Sequence, residues 1–132
     1  GTGNIAMRFL SVEHLAAATA AIQSSAEVKE LAKGVELCIS NLITNGPEGD
    51  FSYAIRIANG SVEMRRGSPD STDAQVSSSY DTAAQLNRGE IGNQQALLMG
   101  KIRIKGSILT LIRHTALLNL VQSTASGLDV TY

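Results

Sequence analysis

Early in the chain the apolar residues recur at helical spacing. Val12, Leu15, Ala16, Ala20 and Ile22 follow Ser11, whose side chain is suited to capping a first turn, and together they predict a helix over 12–23. Ser25 opens a second helix over 26–33, with Val28 and Leu31 on one side. Gly34 then stands where a chain leaving a helix needs a positive φ.

From Val35 the period shortens to two. Val35, Leu37 and Ile39 alternate with Glu36, Cys38 and Ser40, the pattern of a half-buried strand, and the turn-rich run 45–50 ends it. Phe51, Tyr53, Ile55 and Ile57 then alternate with Ser52, Ala54, Arg56 and Ala58. Asn59-Gly60 is a strong hairpin signal, because both central residues of the tight turn need positive φ, and it returns the chain as a strand over 61–66 with Val62 and Met64 inward.

A polar loop over 68–73 precedes a weakly apolar strand over 74–80. Asp81 is placed to cap a helix over 82–88 that Gly89 ends, and Asn93 to cap one over 94–99 that stops at Gly100. Lys101-Ile102-Arg103-Ile104-Lys105 alternates as a strand with one wet and one dry face. Gly106 and Ser107 lead into one long final helix from Ile108 to about Thr124. The order predicts an α+β fold: a five-stranded, mostly antiparallel sheet covered on one face by helices. A single domain over 5–127 accounts for it, with 1–4 set aside from the fold and 128–132 as a tail.

The final helix carries more apolar surface than one face can hold. Ile108, Leu109, Leu111, Ile112, Ala116, Leu117, Leu118, Leu120 and Val121 fill more than one stripe, whereas a surface helix confines them to one. Either the helix is sunk between sheet and helices, or a subunit partner, a bound lipid or a transient membrane contact covers the surplus.

Composition narrows the alternatives. The 132 residues suit one domain that buries about two-thirds of its surface without staples. Charged residues are 17%, against about 25% in an average soluble protein, so the polar skin is thin. Aromatics are only 4%, with no Trp, and the formal charge is -1; neither stacking platforms nor a basic funnel for nucleic acid is present. Lone Cys38 forms no internal disulfide, and His14 and His114 make no zinc site without carboxylates, so no metal and no cofactor are expected. No apolar run reaches membrane-spanning length, and the first residues lack the regions of a secretory signal, which leads to an intracellular, cytoplasmic expectation.

Candidate chemistry has a plain reading beside each sharp one. Gly100-Lys101 near Ser107 lacks the contiguous spacing of a phosphate loop, and Lys101 opens a strand. His14 and His114 coexist with many Ser and Asp residues, but no Gly-x-Ser-x-Gly elbow occurs. His114, beside Arg113 in an apolar helix, fits a structural or interface histidine better than a catalytic one. Cys38 fits a small buried hydrophobe better than a nucleophile. Asn59-Gly60-Ser61 is read as a turn. Arg56, Arg65 and Arg66 with Lys101, Arg103 and Lys105 are a solvated sheet face, with weak docking of acidic head groups as the sharper reading.

The stretch Leu86-Asn87-Arg88-Gly89-Glu90-Ile91, followed by Gln95-Ala96-Leu97-Leu98-Met99-Gly100-Lys101-Ile102-Arg103-Ile104-Lys105-Gly106, resembles the C-terminal half of the sterol carrier protein (type 2) domain family. Val62-Glu63-Met64-Arg65-Arg66-Gly67 fits the family's central strands. The likeness extends over roughly 9–123, with its specific part at 89–106. It implies an apolar tunnel between sheet and helices that takes fatty acyl chains, acyl-CoA or sterols. The lining residues it implies are Ile39, Phe51, Tyr53, Ile55, Met64, Leu97, Leu98, Ile102, Ile104, Ile108, Leu109, Ile112, Ala116 and Leu120. Where members of the family often carry Phe, this chain has Leu97, which alters the pocket's shape; 128–132 does not read as a peroxisomal signal.

The expected function is therefore non-enzymatic binding or carriage of an apolar lipid. The alternative is an interaction or dimerisation module that uses the apolar C-terminal helix and no lipid.

Overall fold

The Asn59-Gly60 turn builds one edge of the sheet. Both residues have positive φ, 54° and 75°, and the turn joins β3 (Gly49–Ala58) to β4 (Ser61–Arg66) with Ala58 opposite Ser61. The structure is a computed structural model and describes residues 6–132. Residues 1–4, set aside above, and Ile5 lie outside the described residues.

Strand β2 (Leu37–Gly46) pairs antiparallel with β3 and parallel with β5 (Ala74–Ser79), and β6 (Ile102–Gly106) closes the sheet antiparallel to β5. The order is β4-β3-β2-β5-β6, five strands with one parallel pair. The sheet is the mostly antiparallel one expected. The parallel pair is held at its start by Asp73, whose carboxylate accepts from the Cys38 amide at 2.8 Å while its own amide donates to the Cys38 carbonyl. Its carbonyl also accepts from the Ser107 amide at 2.9 Å, joining β5 to the end of β6. Gly106 makes that closure feasible, because its φ is +95° and a Cβ there would sit 2.6 Å from the Asp73 carbonyl oxygen.

Two helices precede the sheet, α1 (Val12–Gln23) and α2 (Ala26–Ala32). They start at the expected caps: Ser11 accepts from the His14 amide and Ser25 from the Val28 amide. Helix α1 lies along edge strand β4. Thr19 Oγ1 accepts from the Met64 amide and donates to its carbonyl, and Gln23 Nε2 donates to the Val62 carbonyl, so α1 covers backbone groups of an otherwise open edge.

The later helices correct the sequence reading in three places. Helix α3 (Tyr80–Asn87) is capped by Ser79, which is extended and accepts from the Thr82 amide; Asp81 falls in the first turn instead. Helix α4 (Asn93–Leu98) has Gly92 at its cap with no side-chain bond, since the Asn93 side-chain amide donates instead to Gln122 Oε1 at 2.7 Å. The single long final helix is two, α5 (Ile108–Arg113) and α6 (Thr115–Ala125), broken at His114 with φ -107° and ψ 25°. Thr115 Oγ1 donates to the Leu111 and Ile112 carbonyls, competing at the break for acceptors that continuous helix would use.

The last residues pack back onto the domain. Strand β7 (Val130–Thr131) pairs parallel with β1 (Met7–Arg8), and the Tyr132 hydroxyl accepts from Asn87 Nδ2 at 2.7 Å. Among the described residues no helix is long and apolar enough to cross a membrane.

Candidate functional site

Alternation along each strand sends one set of side chains toward the helices, and the register lines these sets up in rows across the sheet. The first row is Val62, Ile57 and Leu37; the second is Met64, Ile55, Ile39, Ala74 and Gly106. The third is Arg66, Tyr53, Asn41, Val76 and Ile104. Phe51, Ile43, Ser78 and Ile102 make the fourth.

Burial differs from row to row. Val62, Ile57 and Leu37 are sealed, as is Ile43. Between them Met64, Ile55, Tyr53, Val76 and Ile104 are only half-buried, although they sit on the covered face. These five side chains form a band of retained surface between the sealed groups.

The buried residues divide accordingly. One cluster joins α1, α2, the sealed end of the sheet and Leu117, Val121 and Ala125 of α6. The other gathers Phe9, Leu10, Leu15, Ile43, Tyr80 and Ala84, and half-buried Met64 packs against both. From the helix side Leu111, Leu118 and Leu120 pack half-buried against the first cluster.

The band is aliphatic apart from two neutral polar side chains. Tyr53 lies beside Asn41 across the β2–β3 pair, and burial pushes its phenol up to about 12. The Asn41 amide nitrogen is buried with no hydrogen-bond partner. Arg66, at the end of the row, is drawn away: its Nε donates to the Leu10 carbonyl and its guanidinium lies 3.9 Å over the Phe51 ring. An environment that keeps a phenol neutral is also a poor one for a carboxylate.

The fourteen residues expected to line a tunnel fall into separate places. Tyr53, Ile55, Met64 and Ile104 lie in the band, and Leu120 is half-buried above the sheet. Ile39 and Ile102 are sealed beside it, and Phe51 lies under Arg66. The structure does not bring Leu97, Leu98, Ile108, Leu109, Ile112 or Ala116 into the interior; all six are exposed. Helix α5, set off by the break at His114, has no fully buried residue and reaches the core only through half-buried Leu111, while α4 buries only Ala96. Half-buried Val76, Leu111, Leu118 and Asn41 lie beside these residues and were not among the fourteen; the alternation Ala74, Val76, Ser78 held the signal for the inward face of the first of them.

The residues weighed for chemistry sit elsewhere. Cys38 pairs with Arg56 on the sheet face turned away from the helices. His114 occupies the α5–α6 break. His14 is buried, its Nδ1 accepting from the Leu10 amide at 2.9 Å, and burial lowers its pKa. It braces Leu10, whose φ of 60° is left-handed. Among the described residues no three His, Cys, Asp or Glu side chains gather to hold a metal. Two surface clefts, of about 220 and 300 Å³, lie away from the band, by the β3–β4 turn and by Arg65.

Similar architectures exist in solved structures. The chain superposes on a conserved hypothetical protein of Thermus thermophilus with a TM-score of 0.78 at 14% identity, covering 99% of this chain and 96% of that one. A crystal structure of sterol carrier protein 2 gives 0.77 at 14% identity, over 92% of this chain and 100% of that one. The palmitated SCP2L2 of Aedes aegypti gives 0.61 at 17% identity, over 82% and 95%. At these identities the likeness is one of fold. Among curated proteins no sequence matches this chain. The family model for SCP-2 sterol transfer does match, over residues 15–119, from the first helix through the sheet to α6. With that span covered, this chain belongs to the SCP-2 sterol transfer family.

Proposed function

We propose that this protein carries an apolar lipid, a fatty acyl chain, acyl-CoA or a sterol, in the band between the sheet and α6, and catalyses no reaction on it. Family membership supports lipid binding and transfer in general. The observation that carries the finer reading is the run of half-buried Met64, Ile55, Tyr53, Val76 and Ile104 between two sealed clusters. A mostly aliphatic wall with no Trp suits a flexible apolar ligand held by contact area. Each buried methylene contributes about 0.8 kcal/mol, so the length of the apolar part sets affinity more than the head group does. The palmitated Aedes aegypti protein shares the fold.

Denaturing extraction of the purified protein followed by mass spectrometry, together with displacement of a fluorescent fatty acid, tests the reading. A co-purifying lipid and saturable probe binding are expected. Neither lipid nor probe binding overturns it.

A further inference from the structure

Of the nine large apolar residues that are exposed among the described residues, six flank edge strand β6 in the chain. Leu97, Leu98, Met99, Ile108, Leu109 and Ile112 are between 46% and 88% exposed, and all come from α4, its C-cap or α5, the segments before and after edge strand β6. Scattered exposed leucines need no explanation, but six large apolar side chains on two short helices amount to a functional surface.

The segment that carries them has charge of one sign. Between Glu90 and Asp129 the chain has no Asp or Glu, but it has Lys101, Arg103, Lys105 and Arg113. None of the four is in a salt bridge among the described residues, whereas Arg65, on the opposite edge, faces Glu63 at 3.6 Å. With a formal net charge of -1 overall, the rest of the chain is acidic and the β6 region is its positive pole.

We propose that the β6 edge is a docking surface for anionic lipid bilayers, with the apolar side chains of α4 and α5 entering the interfacial layer and the four cations meeting the head groups. Aliphatic side chains flanked by Lys and Arg are what such an interface selects. A second copy of the chain fits less well, because a two-fold interface there would bring like cations together. A nucleic acid would use the cations and leave the leucines wet. The proposal goes beyond cargo binding and does not depend on it.

Vesicle co-sedimentation tests it, using phosphatidylcholine alone and phosphatidylcholine with phosphatidylglycerol, at low and at molar salt. The unmodified protein is expected to prefer the anionic vesicles and to lose that preference as salt rises. A cation near such a surface contributes about fivefold, so Arg103→Gln with Lys105→Gln should lower partitioning by roughly tenfold or more. Leu98→Ser with Leu109→Ser should lower it on both vesicle types, and the probe displacement by which cargo is measured should stay unchanged. Binding that ignores lipid charge and salt, or that neither double variant weakens, overturns the proposal. So does absence of vesicle binding with a dimer by light scattering that the leucine variant dissociates, which assigns the face to a second copy.

Discussion

Asn41 and Tyr53 stand opposite each other on β2 and β3, facing the helices, and the Asn41 amide nitrogen has no hydrogen-bond partner where it is buried. A buried unpaired donor costs about 1–3 kcal/mol. Asn41→Leu keeps the size and removes the orphan, so urea unfolding should show a gain of about 1 kcal/mol. A loss of stability would mean that the amide is satisfied in solution.

On the proposed lipid position, enlarging a side chain of the band should obstruct binding. Met64 lies between the two clusters and is half-buried. Met64→Trp should lower affinity for a fluorescent fatty acid by roughly tenfold or more while costing less than the 1–3 kcal/mol typical of overpacking a closed core. A larger stability loss with binding unchanged would show that the band is already filled.

Affinity should climb with the length of a saturated ligand. At about 0.8 kcal/mol per methylene, each added carbon strengthens binding by about fourfold until the band is full. Calorimetric titration of a homologous series measures this. A flat series would move recognition to the head group.

His14 gives stability a pH dependence of known sign. Burial holds its folded pKa below the ordinary value of 6.5, so the unfolded chain takes up a proton first. Its contribution is then present above about 6.5 and is lost as pH falls through the folded pKa. His14→Asn keeps an acceptor near the Leu10 amide without the titration. Urea midpoints measured between neutral and mildly acidic pH should fall more steeply for the parent than for the variant; parallel curves would contradict the assignment.

Two glycines with similar backbone angles should respond differently to alanine. Gly89, at φ +73°, has open space around its missing Cβ, whereas Gly106, at φ +95°, would press a Cβ against the Asp73 carbonyl. Gly89→Ala should cost about 1 kcal/mol from the left-handed conformation alone. Gly106→Ala should cost about 2 kcal/mol or more by urea unfolding, since the clash is with backbone. Equal losses would mean that the β5–β6 closure yields.

Features written in local chemistry were legible in the sequence. Ser11 and Ser25 cap because their side chains reach amides three residues on, and Asn59-Gly60 turns because both residues tolerate positive φ. The sheet side of the site followed from alternation, which put Tyr53, Ile55, Met64 and Ile104 on one face. What depends on distant partners was not legible. Asn93 leaves its capping role for Gln122, and β1 finds β7 across nearly the whole chain. The break at His114 was hidden as well, because apolar spacing continues through it while Thr115 turns its hydroxyl to the preceding carbonyls. Of the α5 side chains Leu111 alone packs against the core, while Ile108, Leu109 and Ile112 stay outside it.

Intermolecular NOEs between carbon-13-labelled palmitate and methyl-labelled protein test the lipid position most directly. The account predicts contacts from the acyl chain to the methyls of Ile55, Met64 and Ile104, which the register and burial place along the band. Contacts confined to the cleft lined by Val28 and Val62, or to the exposed methyls of Leu98 and Leu109 alone, would contradict it.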